Sequence, residues 1–189
     1  MTKARMFGWD KGLDYEEWKS KLEADIRRLR KEGIRDIRNL HRLAYNIILL
    51  TQLVNGCRVG ESVQAIQYIV KNGIPPDRKV RVKVEKRKDN YERLIVIPKI
   101  VSDRDLKSIV FINYLDTKTL KQRVVVWARD YWGINTHSLR YAFITHLAKQ
   151  GVSAQLIGKM TGHSKLDYIL YYTQKVQAEQ LLEKLVLEG

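Results

Sequence analysis

Three prolines, Pro75, Pro76 and Pro98, frame a stretch of this 189-residue chain whose apolar residues repeat with a period of two. Outside that frame no residue forbids a helix, and apolar residues recur at helical spacing. Asp14 with Glu17 resembles a capping box ahead of Trp18, Leu22, Ile26 and Leu29, and Gly33 is the stop. Ile37, Leu40, Ala44, Ile47 and Ile48 mark a second, longer helix to about Val54, closed by Asn55-Gly56. Arg58 follows that turn directly, and Val63, Ile66 and Val70 lie on a third helix. Inside the frame, Val80, Val82 and Val84 alternate with Arg81 and Lys83, Lys86-Arg87-Lys88-Asp89-Asn90 makes a turn, and Leu94-Ile95-Val96-Ile97 returns. The result is a hairpin at about 80–97 with a basic tip, since residues 78–93 hold eight Lys or Arg against three Asp or Glu. Beyond Pro98, Ser102 with Asp105 caps a helix carrying Leu106, Ile109, Val110 and Asn113. Thr117 starts another, with Leu120, Val124, Trp127 and Tyr131 toward a core and Gly133 as its end; Thr136 caps the helix of His137, and Ser153 the next. Leu181, Leu182, Leu185 and Val186 form an apolar stripe on the last helix, segment 174–189. The expected fold class is α+β, mainly helical with one small antiparallel β-sheet, residues 1–189 forming one domain whose first 13 residues are loosely ordered.

The charge narrows the partner. There are 35 Lys and Arg against 21 Asp and Glu, a formal net charge of +14, with an isoelectric point near 9.8. Such a balance favours a polyanionic partner, nucleic acid or an acidic membrane surface. No apolar run approaches the ~20 residues that span a bilayer, and the opening MTKARMFGWDKG has no apolar core of a signal peptide, so a cytoplasmic location and no membrane partner are expected. Cys57 is the sole cysteine, which excludes an internal disulfide framework and a Cys-rich metal site.

Residues that carry chemistry concentrate between Thr136 and Thr173. His137 and Arg140 are three apart on a helix and share a face, while Leu139 and Phe143 face a core. Gly162-His163 and then Tyr171-Tyr172 follow. In a strongly basic chain this set suggests chemistry on a phosphate. Each residue alone is weak evidence: an arginine among 35 basic residues is ordinarily salt-bridged or solvated, and one tyrosine of ten is ordinarily core. No metal is expected. His137 and His146 are nine apart rather than stacked at i, i+4, and no cysteine or close carboxylate completes a set with His163. His146 is expected to pack or to face solvent.

Taken together, Arg58-Val-Gly-Glu61, the basic hairpin, His137-Ser-Leu-Arg140, Gly162-His163-Ser164 and a tyrosine nine residues after that histidine resemble the tyrosine recombinases, the phage-type integrases, in order and spacing. The resemblance runs from about Leu40 to Val176 and is nearest to integrases of archaeal viruses or plasmids. It implies the recombinase catalytic-domain fold and cleavage and rejoining of double-stranded DNA through a 3′-phosphotyrosine, without cofactor. It implies Arg58 and Arg140 on the non-bridging phosphate oxygens, where permanently charged forks suit developing charge. Tyr172 would be the nucleophile, with Tyr171 the alternate. Lys86 would protonate the departing 5′-oxygen, with Lys88 the alternate. His137 would take the phenol proton or contact the phosphate, His163 would donate to a non-bridging oxygen, and Glu61 would orient Arg58. Arg81, Lys83, Arg87 and Lys88 would bind the DNA backbone. A tetramer on two synapsed duplexes is implied, monomeric or dimeric when free, with the tail stripe as a subunit link, in a prokaryotic or virus-infected cell. The chain departs from the family pattern at Cys57 and at Thr161, where a leucine is usual, and the usual core-binding domain upstream is not expected in this chain. A non-catalytic DNA-binding protein of the same fold and a topoisomerase IB-like relaxing enzyme are the alternatives.

Overall fold

A computed structural model describes residues 12–33, 36–85, 91–163 and 166–187, with backbone alone at 168, 172 and 176. Helix α1 (Tyr15–Glu32) starts at Asp14, whose Oδ1 accepts from Glu17 N at 2.9 Å, and ends at Gly33. Helix α2 (Ile37–Asn55) runs from Asp36 to Gly56, which adopts φ +55°, the left-handed conformation that a helix stop favours. Its residues Leu43 to Leu53 are buried almost without interruption, so α2 is the axis of the fold. Helix α3 (Val59–Asn72) follows after a two-residue turn, with Arg58 as its N-cap.

Strands β1 (Lys79–Lys83) and β2 (Glu92–Val96) pair antiparallel, Arg81 opposite Leu94 and Lys83 opposite Glu92. Val80, Val82 and Ile95 point into the core, and Arg81 and Lys83 point to solvent. The alternation is that of a sheet with one wet face. Helices α4 (Asp103–Ser108), α5 (Thr117–Trp132), α6 (Thr136–Lys149), α7 (Ala154–Thr161) and α8 (Asp167–Leu187) complete the chain. One core joins α1, α2, α3, α5 and the hairpin; a second, built on Tyr141, Ile144, Ala148, Ala154, Ile157 and Ile169, joins α6, α7 and α8. The fold is mostly helical with a small two-stranded antiparallel sheet, as its patterning implies. No helix among the described residues is long and apolar enough to cross a membrane.

Five local expectations change. The Ser102 helix stops at Ser108 and gives way to a 3-10 helix, Val110–Tyr114. Gln67 Nε2 on α3 donates to the carbonyls of Ile112 (3.0 Å) and Leu115 (2.8 Å), partners that a continued α-helix would not need. The cap of α6 is Asn135, whose Oδ1 accepts from His137 N at 2.9 Å, and Thr136 is already inside the helix. Tyr131 is 42% exposed rather than core; it stacks on Trp127 with centroids 4.3 Å apart, and the Arg42 guanidinium lies 4.4 Å from its ring centre. Ile37 is exposed because it is the first residue of its helix. The tail is part of α8, continuous with the segment of Tyr171 and Tyr172, and its Leu181, Leu182, Leu185 and Val186 are exposed.

Candidate active site

Two helix ends set the site. The turn after α2 delivers Arg58, and the turn after α7 delivers His163. At the first turn Glu61 occupies the third position of α3 and is fully buried. Its carboxylate accepts from Arg58 N at 3.0 Å, Arg58 Nη1 at 3.3 Å, Glu85 N at 3.1 Å and Arg93 Nη1 at 3.3 Å. Arg58 Nη1 also donates to the Glu85 carbonyl at 3.0 Å, which fastens the outer end of the hairpin to the start of α3. A buried carboxylate holding this many donors is a firm mount for a guanidinium.

Arg140 rises from the middle of α6 and is buried. Its Nη1 donates to the Gly56 carbonyl at 3.0 Å, and its Nη2 lies 3.0 Å from both ring nitrogens of His163. Burial first, then the nearby Arg58 charge, bring its pKa down to about 10, so it remains charged at neutral pH. His163 follows Gly162, which takes φ +70° as the stop of α7. Burial first, then the charges of Arg140, Arg58 and Arg93, push His163 down to about 3, so its imidazole is neutral in the free protein. Glu61 is the carboxylate around which Arg58, Arg93 and Arg140 gather, and an anion is the group this excess of cationic charge lacks.

His137 sits at the exposed start of α6 and lines a cavity of about 90 Å³ together with Gln52, Arg58, Val59, Glu85, Lys121 and Thr136. Arg81 and Lys83 stand on the solvent face of β1. Tyr171 is exposed on α8. Tyr172 belongs to α8, but its side chain lies outside the described residues, as do Lys86, Arg87 and Lys88 in full. His146 stacks on Tyr15 with ring centroids 4.1 Å apart, away from the cluster. Among the described residues no three His, Cys, Asp or Glu side chains converge as a metal site. Cys57, next to Arg58, is buried, and burial pushes its thiol up to about 12.

Reading the sequence missed three contributors. Arg93 is buried on β2, in phase with Ile95, where an apolar residue was expected. It donates to the carbonyls of Asn55 (2.7 Å), Met160 (2.5 Å) and Thr161 (3.0 Å), so one cation caps the C-terminal ends of both α2 and α7. The signal was there: a basic residue in the inward phase of a strand demands buried acceptors. Lys121 on α5 pairs with Glu85 at 2.6 Å and faces the same cavity as Arg58 and His137. Thr161 touches His163 through its hydroxyl at 2.6 Å.

The chain belongs to the phage integrase family, whose model matches residues 37–179. It is 33% identical to an uncharacterized protein of Methanocaldococcus jannaschii, over 94% of this chain and 88% of that one. It is 35% identical to a protein of Acidianus two-tailed virus that bears the provisional name of integrase, over 94% of this chain and 68% of that one. A shorter segment, 37% of this chain and 24% of its relative, is 36% identical to tyrosine recombinase XerD of Chlamydia trachomatis. No solved structure gives a significant match.

Proposed function

We propose that this protein breaks and rejoins DNA strands as a site-specific recombinase, through a covalent 3′-phosphotyrosine on Tyr172. The observation that carries the reading is the convergence of Arg58 from the start of α3, Arg140 from within α6 and His163 from the turn after α7 on one buried and cation-rich spot. A phosphodiester under attack gains charge on its non-bridging oxygens, and preorganised guanidinium donors stabilise that charge without reorganising. Glu61 holds Arg58 in place but does not touch the phosphate.

The phenol oxygen of Tyr172 attacks phosphorus, the P–O5′ bond breaks, and the 5′-oxygen leaves as a hydroxyl. His137 accepts the phenol proton. Lys86, the residue that follows Glu85 in the chain, or its near neighbour Lys88, supplies the proton to the leaving oxygen. Attack by a 5′-hydroxyl from another strand reverses these steps and restores the tyrosine. The bond energy is kept in the phosphotyrosine, so no nucleotide is consumed. Position 172 is favoured over 171 by its spacing, nine residues after His163 and directly before Thr173. Arg81, Lys83, Arg87 and Lys88 contact the DNA backbone. Exchange between two duplexes needs four such sites, and the exposed leucines of α8 are the surface through which protomers would join.

The test is covalent capture on a nicked duplex that lets the cleaved end diffuse away. A protein–DNA band is expected with the native chain and with Tyr171→Phe, and none with Tyr172→Phe. A DNA-binding protein without chemistry gives no band with any variant. A relaxing enzyme gives the band but no exchanged strands.

A further inference from the structure

We infer that Thr161 is a positioning residue that holds the His163 ring proton on Nδ1 and presents Nε2 toward Arg140 as a lone pair. Thr161 is the last residue of α7 and is fully buried. Its Oγ1 lies 2.7 Å from the Ile157 carbonyl and 2.6 Å from His163 Nδ1. A hydroxyl has one proton and a carbonyl only accepts, so that proton goes to Ile157. Toward His163 the hydroxyl is then an acceptor, and Nδ1 must carry the hydrogen. Arg140 Nη2, a donor that never accepts, is 3.0 Å from both ring nitrogens, and with the hydrogen on Nδ1 the lone pair of Nε2 is the one that can take it. The opposite tautomer would pull the Thr161 proton away from Ile157. Gly162 makes the contact possible, because its left-handed turn folds residue 163 back over 161, with His163 N donating to the Gly158 carbonyl at 3.0 Å.

The consequence rests on the strand-cleavage reading. A phosphate oxygen arriving beside Arg140 meets a lone pair on Nε2 rather than a donor. His163 becomes a donor to that oxygen by taking up a proton from solvent. The charged and titratable groups around the ring are Arg140 and His137 on α6, Arg58 and Glu61 at the start of α3, and Arg93 on β2. Their positive excess keeps the ring neutral until an anion arrives, so seating the scissile phosphate is coupled to uptake of one proton. Thr161→Val keeps the shape and removes the hydroxyl, leaving the ring free to carry its proton on Nε2.

Long-range proton–nitrogen correlation spectra of the full chain, labelled in histidine and free of DNA at pH 7, read the tautomer directly. The His163 signals are identified by their loss in His163→Asn. Nδ1–H is expected in the native chain and in Thr161→Ser, with that pattern lost in Thr161→Val. Nε2–H in the native chain, or an unchanged Nδ1–H in Thr161→Val, overturns the assignment. Because no DNA is involved, this result stands or falls apart from the cleavage reading. The coupled step is read from the pH dependence of covalent capture: in the native chain the rate falls by one proton as pH rises, and in Thr161→Val the profile flattens. Identical profiles for the two overturn the proton uptake.

Discussion

Glu61 shows how much one buried side chain can carry. Its two oxygens serve two guanidinium groups and two backbone amides drawn from α3, the hairpin and β2. Glu61→Ala leaves Arg58 and buried Arg93 without their counter-charge, and losing one partner of a buried pair costs about 3–5 kcal/mol. The urea midpoint of that variant is expected to fall accordingly, with a smaller fall for Glu61→Gln, which keeps the shape and part of the hydrogen bonding. His163 gives a prediction in pH. Its folded pKa is about 3 against 6.5 for the unperturbed side chain, so across that window the unfolded chain binds a proton the folded chain does not. Stability therefore falls as pH drops below 6.5 and this contribution is exhausted near 3. Melting temperatures of His163→Asn should decline less over that window than those of the native chain.

At the scale of elements, the site depends on where helices stop. Gly56 ends α2 at φ +55°, offers its carbonyl to Arg140, and lies against Phe143, whose Cδ1 would be 2.2 Å from an added Cβ. Gly56→Ala is expected to cost more than ~1 kcal/mol from the backbone alone, with the displaced ring adding to it, and to slow strand cleavage because Arg140 loses its support. A melting curve and a cleavage rate on the same preparation check both. Such stops are legible in a sequence: Gly33, Gly56, Gly133 and Gly162 each stand where a helix ends. The hairpin is legible too, since valines in a period of two permit little else. The motifs also flag Arg58, Arg140 and His163, which the fold groups. Arg93 shows in the sequence only as a basic residue in the inward phase of a strand, because its acceptors are main-chain carbonyls on remote segments. Thr161 has its partners Ile157 and His163 close by in the chain, but only the turn at Gly162 brings the ring onto its hydroxyl. Asn135 and Thr136 compete for one cap, and only the backbone at Asn135 decides between them.

For the molecule as a whole, a net charge of +14 makes DNA binding a salt-dependent equilibrium. The logarithm of the binding constant should fall linearly with the logarithm of salt concentration. Replacing Arg81 and Lys83, which project from the outer face of β1, should reduce that slope by about 1 for each phosphate no longer neutralised. An unchanged slope would remove the hairpin face from the interface. The central claim concerns charge at one phosphate, and charge can be removed from the DNA instead of the protein. A methylphosphonate at the scissile position replaces one charged oxygen by a methyl group. On ordinary DNA, Arg58→Ala and Arg140→Ala are each expected to lose about 10²–10³ in cleavage rate. The decisive measurement is the ratio of cleavage rates on methylphosphonate and ordinary DNA within each variant: a ratio far above that of the native chain for both arginine variants is predicted, and a ratio equal to the native one would contradict the account.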